Sequence, residues 1–190
     1  MPTDLPCPLC DAHQASEFFA DRRRTYVRCG NCMLVFVPPE FYLGLEAERR
    51  EYELHENEVG DPGYRRFLSR LAEPLQTRLE PGARGLDFGC GPGPALAEML
   101  REAGFSMALY DPFFHPESEV LEEKYDFITA TEVVEHLHRP GQELRDLWQR
   151  LRPGGVLGIM TKLVIDREAF SRWHYKNDQT HVVFFSETTF

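Results

Sequence analysis

Between Ala83 and Thr161 the chain alternates between two hydrophobic rhythms. "ARGLDFG", "SMALYD", "YDFITAT" and "GVLGIMT" are short apolar runs of strand length. Strands of a parallel sheet read this way because both of their faces are covered. Between them, "ALAEMLREAG" and "GQELRDLWQRLRPGG" carry apolar residues at helical spacing. Such alternation predicts an α/β fold with right-handed crossovers. Upstream, Tyr64, Phe67, Leu68, Leu71, Leu75 and Leu79 recur at helical spacing behind Asp61 and Pro62, a cap followed by a first-turn proline. A helix packed beside the main domain is expected there.

The first 37 residues follow another pattern, with extended segments "TYVRC" and "MLVFV" and a polar turn "DRRR", Asp21 to Arg24. This reads as a hairpin whose charged tip is a solvated face. "VPPE" breaks the pattern, and "EAERREYELHENE" is expected to be a charged helix. The organisation is therefore a small module over 1–37, a helical connector over 38–83 and the α/β domain over 84–190.

Composition narrows the partners. Hydrophobic residues make up 42% of the 190, with 14 Phe and 7 Tyr, enough for a sizeable core. The net charge of -10 and pI near 5.2 argue against a general phosphate-binding surface, which needs clustered Lys and Arg. A small-molecule or protein partner is favoured over nucleic acid. No apolar run approaches the roughly 20 residues that span a bilayer, and "MPTDLPCPLC" lacks the regions of a signal peptide, so the expected location is cytoplasmic and off the membrane.

Four cysteines form two Cys-x-x-Cys pairs, Cys7 with Cys10 and Cys29 with Cys32. Two tight turns, each presenting two thiolates, suit tetrahedral zinc. Disulfides or a redox motif are the alternatives, but a redox motif is expected to open a helix, and Pro8 and Gly30 suit turns better. Structural zinc is the expectation, and the module resembles a zinc ribbon. Cys90 stands apart and reads as a small turn residue.

The stretch "GLDFGCGPGPAL", Gly85 to Leu96, runs from a strand through Gly89, Gly91 and Gly93 into a helix. Glycines there let backbone approach a nucleotide-like ligand. A dinucleotide fingerprint needs Gly-x-Gly-x-x-Gly, and Pro94 occupies the last position, which disfavours a nicotinamide oxidoreductase. Asp111 ends the next strand, 22 residues after Gly89, where a carboxylate can accept hydrogen bonds from ribose hydroxyls.

Gly-x-Gly-x-Gly with Asp87 two residues ahead resembles the first motif of class I S-adenosylmethionine-dependent methyltransferases. "YDFITATEVVEHLHRPGQELRDLWQRLRPGGVLGIMT" extends the resemblance, which with the ribbon spans nearly the whole chain and points to ribbon-bearing relatives of ubiquinone-type O-methyltransferases and sugar methyltransferases. The resemblance implies a Rossmann-like doubly wound parallel sheet and S-adenosylmethionine as cofactor. It implies cofactor contacts from Asp87, Gly89, Cys90, Gly91, Gly93, Asp111, Pro112, Phe113, Thr131 and Glu132.

Two departures are visible. Only 13 residues separate Asp111 from Tyr125, so strand three of the family is reduced, and Phe113 or Phe114 is a candidate to cover the adenine. The chain also stops at "THVVFFSETTF", lacking the usual last hairpin.

Methyl transfer to a hydroxyl or ammonium acceptor requires alignment and proton removal. "TEVVEHLHRP" follows the strand "YDFITAT", making His136 the first candidate base, ahead of His138, with His174 and His181 as later candidates that could close over a pocket. Packing or capping is the competing role for His136. Glu132, Glu135 and His136 also match a cluster that the resemblance links to a divalent cation such as magnesium. Trp173, Tyr175 and Asp178 read as acceptor-side residues or as an aromatic cap. The expected function is S-adenosylmethionine-dependent methylation of a metabolite or sugar-like acceptor, with O-methylation favoured. The alternative is a ribbon-bearing interaction module whose methyltransferase-like domain is weakly active or inactive, and RNA methylation ranks below both.

Overall fold

The computed structural model describes residues 2–54 and 58–190. The chain forms two compact units, each assembled from separated segments. One comprises 49–133 and 145–160; the other comprises 1–48, 134–144 and 161–190. These units cut across the linear division of the sequence. The C-terminal part of the expected charged helix, at 55–57, lies outside the described residues.

The N-terminal module begins with the strands β1 (Pro2–Thr3), β2 (Ala15–Ala20), β3 (Thr25–Cys29) and β4 (Val35–Phe36). Two helices follow, α1 (Leu45–Glu53) and α2 (Pro62–Gln76). The α/β stretch then supplies β5 (Arg84–Phe88), α3 (Ala95–Glu102), β6 (Ser106–Tyr110), β7 (Tyr125–Thr131), α4 (Pro140–Arg150) and β8 (Leu151–Met160). Last come α5 (Arg167–Arg172) and β9 (Val183–Phe184).

In the first unit, four parallel strands lie in the order β6-β5-β7-β8. Their apolar runs are covered on both faces. Leu68, Ala72 and Leu75 of α2 and Leu96, Ala97 and Leu100 of α3 form one cluster with Phe127, while Leu147 of α4 joins Leu86, Tyr125 and Ile128 in another. The start of α2 is fixed as the sequence predicts: Asp61 accepts a hydrogen bond from the Tyr64 N–H at 2.5 Å, with Pro62 in the first turn.

The reduced third strand takes the form of a 3-10 turn, Ser118–Glu122. Thirteen residues are too few for a crossover helix and a further strand, since a parallel connection alone takes a dozen or more. Val120 and Leu121 of this turn pack against the Leu86 cluster.

The second unit is built on an antiparallel sheet of order β1-β2-β3-β4-β9. Its fifth strand comes from "THVVFF": Val35 pairs with Phe184 and Phe36 with Val183. An aromatic core holds the far segments together, with Phe170 edge-on to Tyr26 at 5.0 Å, to Phe18 at 5.3 Å and to Phe184 at 5.4 Å. Such ring pairs add to area burial.

The solvated reading of Asp21 to Arg24 is corrected at Arg24, which is buried. Its guanidinium donates to the carbonyls of Lys176 at 2.6 Å, Asp178 at 2.5 Å and Gln179 at 3.3 Å, and to the Tyr26 hydroxyl at 3.1 Å. A planar five-donor fork can satisfy several carbonyls at once, and this is how Arg is retained inside. Gly141, in the first turn of α4, donates its N–H to the Pro8 carbonyl at 3.1 Å. A Cβ there would meet the Leu9 carbonyl oxygen at 2.2 Å, so only glycine allows this approach to the first cysteine turn.

Candidate functional site

The loop after β5 has the shape its glycines predict. Gly89 and Gly91 adopt φ of +71° and +66°. At Gly89 a Cβ would also lie 2.5 Å from Val133, so the position excludes a side chain for two reasons. The N–H groups of Gly89 and Cys90 are donated to the Tyr110 carbonyl at 2.8 and 3.2 Å, and Ala95 N bonds the Gly93 carbonyl at 2.8 Å as α3 begins. The turn is thereby fixed to the tip of the neighbouring strand.

Asp111 performs that fixing from the other side. One carboxylate oxygen accepts the Gly91 N–H at 3.0 Å; the other accepts Phe113 N at 2.9 Å and Phe114 N at 3.1 Å. Asp111, expected from the sequence to face a ribose, here knits loop to strand. Pro112 follows it in the turn. Phe113 packs against Tyr52, with ring centroids 5.5 Å apart.

Asp87 is buried and accepts a hydrogen bond from the Thr129 hydroxyl at 2.7 Å. Burial raises its carboxyl to about 6, against the lowering effects of the Thr129 bond and the Arg101 charge. Cys90 is raised too, by burial and then by Asp87 and Asp111, which agrees with a turn residue and not a nucleophile. Tyr64, read from the sequence only as a helix core position, is pushed up to about 12 by burial and then by the charges of Asp87 and Glu132. No motif pointed to it.

At the end of β7, Glu132 has φ of +52° and donates its N–H to the Met160 carbonyl at 2.8 Å. A left-handed non-glycine residue is costly and is held by its surroundings, a condition that collects at functional positions. Thr131 immediately precedes it, with its hydroxyl oxygen buried.

The four predicted thiols do come together. Cys7 and Cys32 sulfurs are 3.5 Å apart, and those of Cys10 and Cys29 are 3.6 Å apart. Tetrahedral zinc with bonds near 2.3 Å requires sulfur separations of about 3.8 Å, whereas a disulfide requires about 2.0 Å. The N–H groups of Asn31 and Cys32 point at the Cys29 sulfur, at 3.3 and 3.5 Å, as thiolate-supporting donors. The geometry thus fits zinc, and the cluster is compatible with a zinc ribbon.

A second group of donors was anticipated with different membership. The expected cation ligands were Glu132, Glu135 and His136; the residues brought together are Glu135, His136 and His181. The 3-10 turn Val134–His136 lies against the last strand, with Val182 N donating to the Glu135 carbonyl at 2.9 Å, and this long-range pairing selects His181. Glu135 is fully buried and accepts a short hydrogen bond from the Tyr175 hydroxyl. The His136 and His181 rings meet edge to face at 4.6 Å. His174 is elsewhere: it is exposed, with its Nε2 3.2 Å from the Lys162 ammonium. His138 stacks on Tyr42 at 4.3 Å. Trp173 packs on Phe170 and Phe184, which fits the aromatic-cap role.

Asp178 donates nothing and accepts from the N–H and hydroxyl of Thr180, at 2.9 and 2.6 Å. Burial raises its carboxyl, but the Thr180 bonds and the nearby His181 and His136 win, and it stays below the ordinary value.

Among solved structures, the chain is similar to a coclaurine N-methyltransferase bound to N-methylheliamine and SAH, with 17% identity over 73% of this chain and 50% of that one, at a TM-score of 0.46. It is also similar to a Pyrococcus horikoshii OT3 protein, with 15% identity over 74% and 85% at 0.47. A third likeness is to a SAM-dependent methyltransferase from Geobacter sulfurreducens in complex with S-adenosyl-L-homocysteine, with 20% identity over 63% and 55% at 0.39. The chain spans half the length of the coclaurine enzyme. No curated protein matches it. Among the described residues, no helix is long and apolar enough to cross a membrane. A family model described as a methyltransferase domain matches residues 57–190, most of the chain, and the chain therefore belongs to the S-adenosylmethionine-dependent methyltransferase family.

Proposed function

We propose that this chain binds S-adenosylmethionine at the Gly89–Gly93 loop and transfers its methyl group to a small-molecule acceptor, a metabolite or sugar-like compound, by O-methylation. The supporting observation is the pairing of a glycine turn, open at Gly91, with a carboxylate from the next strand tip that already engages the Gly91 N–H. A glycine turn at the end of one parallel strand and an acid at the end of its neighbour suit a ribose-bearing ligand. The cofactor supplies an electrophilic sulfonium methyl group when bound.

The chain's own residues have three tasks. Asp111 accepts ribose hydroxyls, Asp87 in its ionised form faces the amino-acid ammonium, and the backbone from Gly89 to Gly93 permits close approach, with Cys90 lining the turn. Pro112, Phe113, Thr131 and Glu132 complete the proposed cofactor surroundings. Proton removal from a hydroxyl acceptor calls for a neutral imidazole, for which the chain offers His136 and His181, with His174 an exposed third candidate. The four cysteines hold a structural zinc, which fixes the two turns of the ribbon.

Calorimetric titration of the full, zinc-loaded chain with S-adenosylhomocysteine tests the reading. Micromolar affinity is expected, weakened at least tenfold in Asp111→Ala, with no response to NAD. A folded chain that binds neither compound would leave the ribbon-bearing interaction module as the better account.

A further inference from the structure

The group formed by Glu135, His136 and His181 draws its members from a 3-10 turn and from the segment before β9, and one candidate ligand atom from each lies within 4.8 Å of the others. The orientation of the two rings is informative. The Nδ1 of His181 is 2.7 Å from the Tyr175 carbonyl oxygen, and the Nδ1 of His136 is 3.3 Å from that of Thr180. A carbonyl only accepts, so Nδ1 carries the proton in both rings, and in the neutral form Nε2 carries the lone pair. Fixing of the tautomer by a backbone carbonyl is the usual outer support of a metal-bound imidazole.

The carboxylate is supported in the same way. Tyr175 donates its hydroxyl to Glu135, while its main-chain carbonyl receives His181, so this one residue orients two members of the group. Thr180, whose carbonyl meets His136, is itself held by Asp178 through its N–H and hydroxyl. The second oxygen of Asp178 lies 3.7 Å from the His181 Nε2, in position to act as a fourth donor or to hold a bound water. The Val182 N–H on the Glu135 carbonyl closes the frame.

From this geometry we infer that Glu135, His136 and His181 form a binding site for a divalent transition metal of the zinc class, separate from the four-cysteine cluster. Two imidazole nitrogens and one carboxylate oxygen match zinc, cobalt or nickel, whereas magnesium and calcium take oxygen ligands. Bonds of 2.0–2.2 Å require ligand atoms about 3.4 Å apart, and the candidate atoms lie within 4.8 Å of one another. Three protein ligands leave a coordination position for water, the arrangement of a reactive and not a purely structural centre. The inference stands on the donor set and does not depend on methyl transfer; in the metal-bound form a coordinated water, and not His136 or His181, would take the base's role.

The test is a metal count on the full chain. After equilibrium dialysis against buffered zinc, elemental analysis of the wild type is expected to give two zinc ions per chain. The His136→Gln/His181→Gln double variant is expected to retain one, which also reports that the cysteine cluster and its fold are intact. Tyr175→Phe should bind the second ion about 10- to 100-fold more weakly while reaching the same saturation. Cobalt titration gives an independent readout: thiolate charge-transfer bands saturate first, then weaker ligand-field bands without thiolate character develop. A single zinc in the wild type, two in the double variant, or a cobalt titration with thiolate bands alone would each overturn the inference. Magnesium binding in place of zinc would also overturn it.

Discussion

The parallel-sheet unit and the ribbon unit obtain their sites in opposite ways. In the first, the glycine loop and Asp111 come from one βαβ passage, and Asp111 accepts the Gly91 N–H within that passage. In the second, the sheet takes its fifth strand from residues 183–184 and the donor group takes His181 from the same segment. A site written in one passage can be read from a motif. A site written in two separated segments depends on pairings that the motif does not contain.

The largest test of this contrast removes the ribbon's fastening. Cys29→Ser should abolish zinc retention in the cysteine cluster and melt the ribbon unit, because structural zinc contributes on the order of 10 kcal/mol where it folds a small module. Limited proteolysis and zinc content follow it, with early cleavage expected within 1–48 and 161–190. Persistence of both segments uncut would show that the Phe170 aromatic core suffices without the metal.

Next in size is Arg24→Ala. It strips donors from three carbonyls, that of Lys176 buried, and removes a packed side chain, an expected loss of about 3 kcal/mol in urea unfolding. Arg22→Ala, an exposed neighbour in the same turn, should change stability by less than about 0.5 kcal/mol. Equal effects at the two positions would erase the distinction between tip and anchor.

In the sheet unit, Gly89→Ala forces a Cβ into a left-handed residue and onto Val133, and should cost about 1–3 kcal/mol while weakening S-adenosylhomocysteine at least tenfold. Gly141→Ala provides the ribbon-unit counterpart: a stability loss of similar size with cofactor affinity unchanged. If Gly141→Ala weakened the cofactor as much as Gly89→Ala, the two sites could not be treated separately.

The smallest effect is a pH dependence. Asp87 has its folded carboxyl raised from 3.8 to about 6, so the native state holds this proton more tightly than the unfolded chain. Stability of the ligand-free protein from this group therefore falls as pH rises from about 4 to about 6, and above that the buried charge is carried at full cost. Cofactor affinity should run the other way, declining by up to tenfold per pH unit below about 6 as the ammonium partner is lost. Thermal unfolding with and without S-adenosylhomocysteine across pH 5 to 7, at values chosen around that of Asp87, measures both slopes.

Much of the sheet unit was legible. The apolar runs at 83–89, 106–111 and 125–131 hold the strands Arg84–Phe88, Ser106–Tyr110 and Tyr125–Thr131, Asp61 became a cap, and the 13-residue gap announced a reduced strand. These features are local: side-chain period, cap chemistry and loop length act within a few residues. The cysteine spacing was likewise sufficient to bring four thiols together, because each pair is already placed by its own turn.

By itself the sequence determined the α/β character, the glycine turn with Asp87 and Asp111, and the four-thiol cluster. Tertiary structure alone decided that Arg24 is buried, that "THVVFF" completes the ribbon's sheet and that His181, in place of Glu132, joins Glu135 and His136. The physical reason is chain separation. Residues more than forty positions apart are joined only when strand pairing and aromatic packing repay the entropy of closing the intervening chain, and no local pattern records which distant partner offers that return.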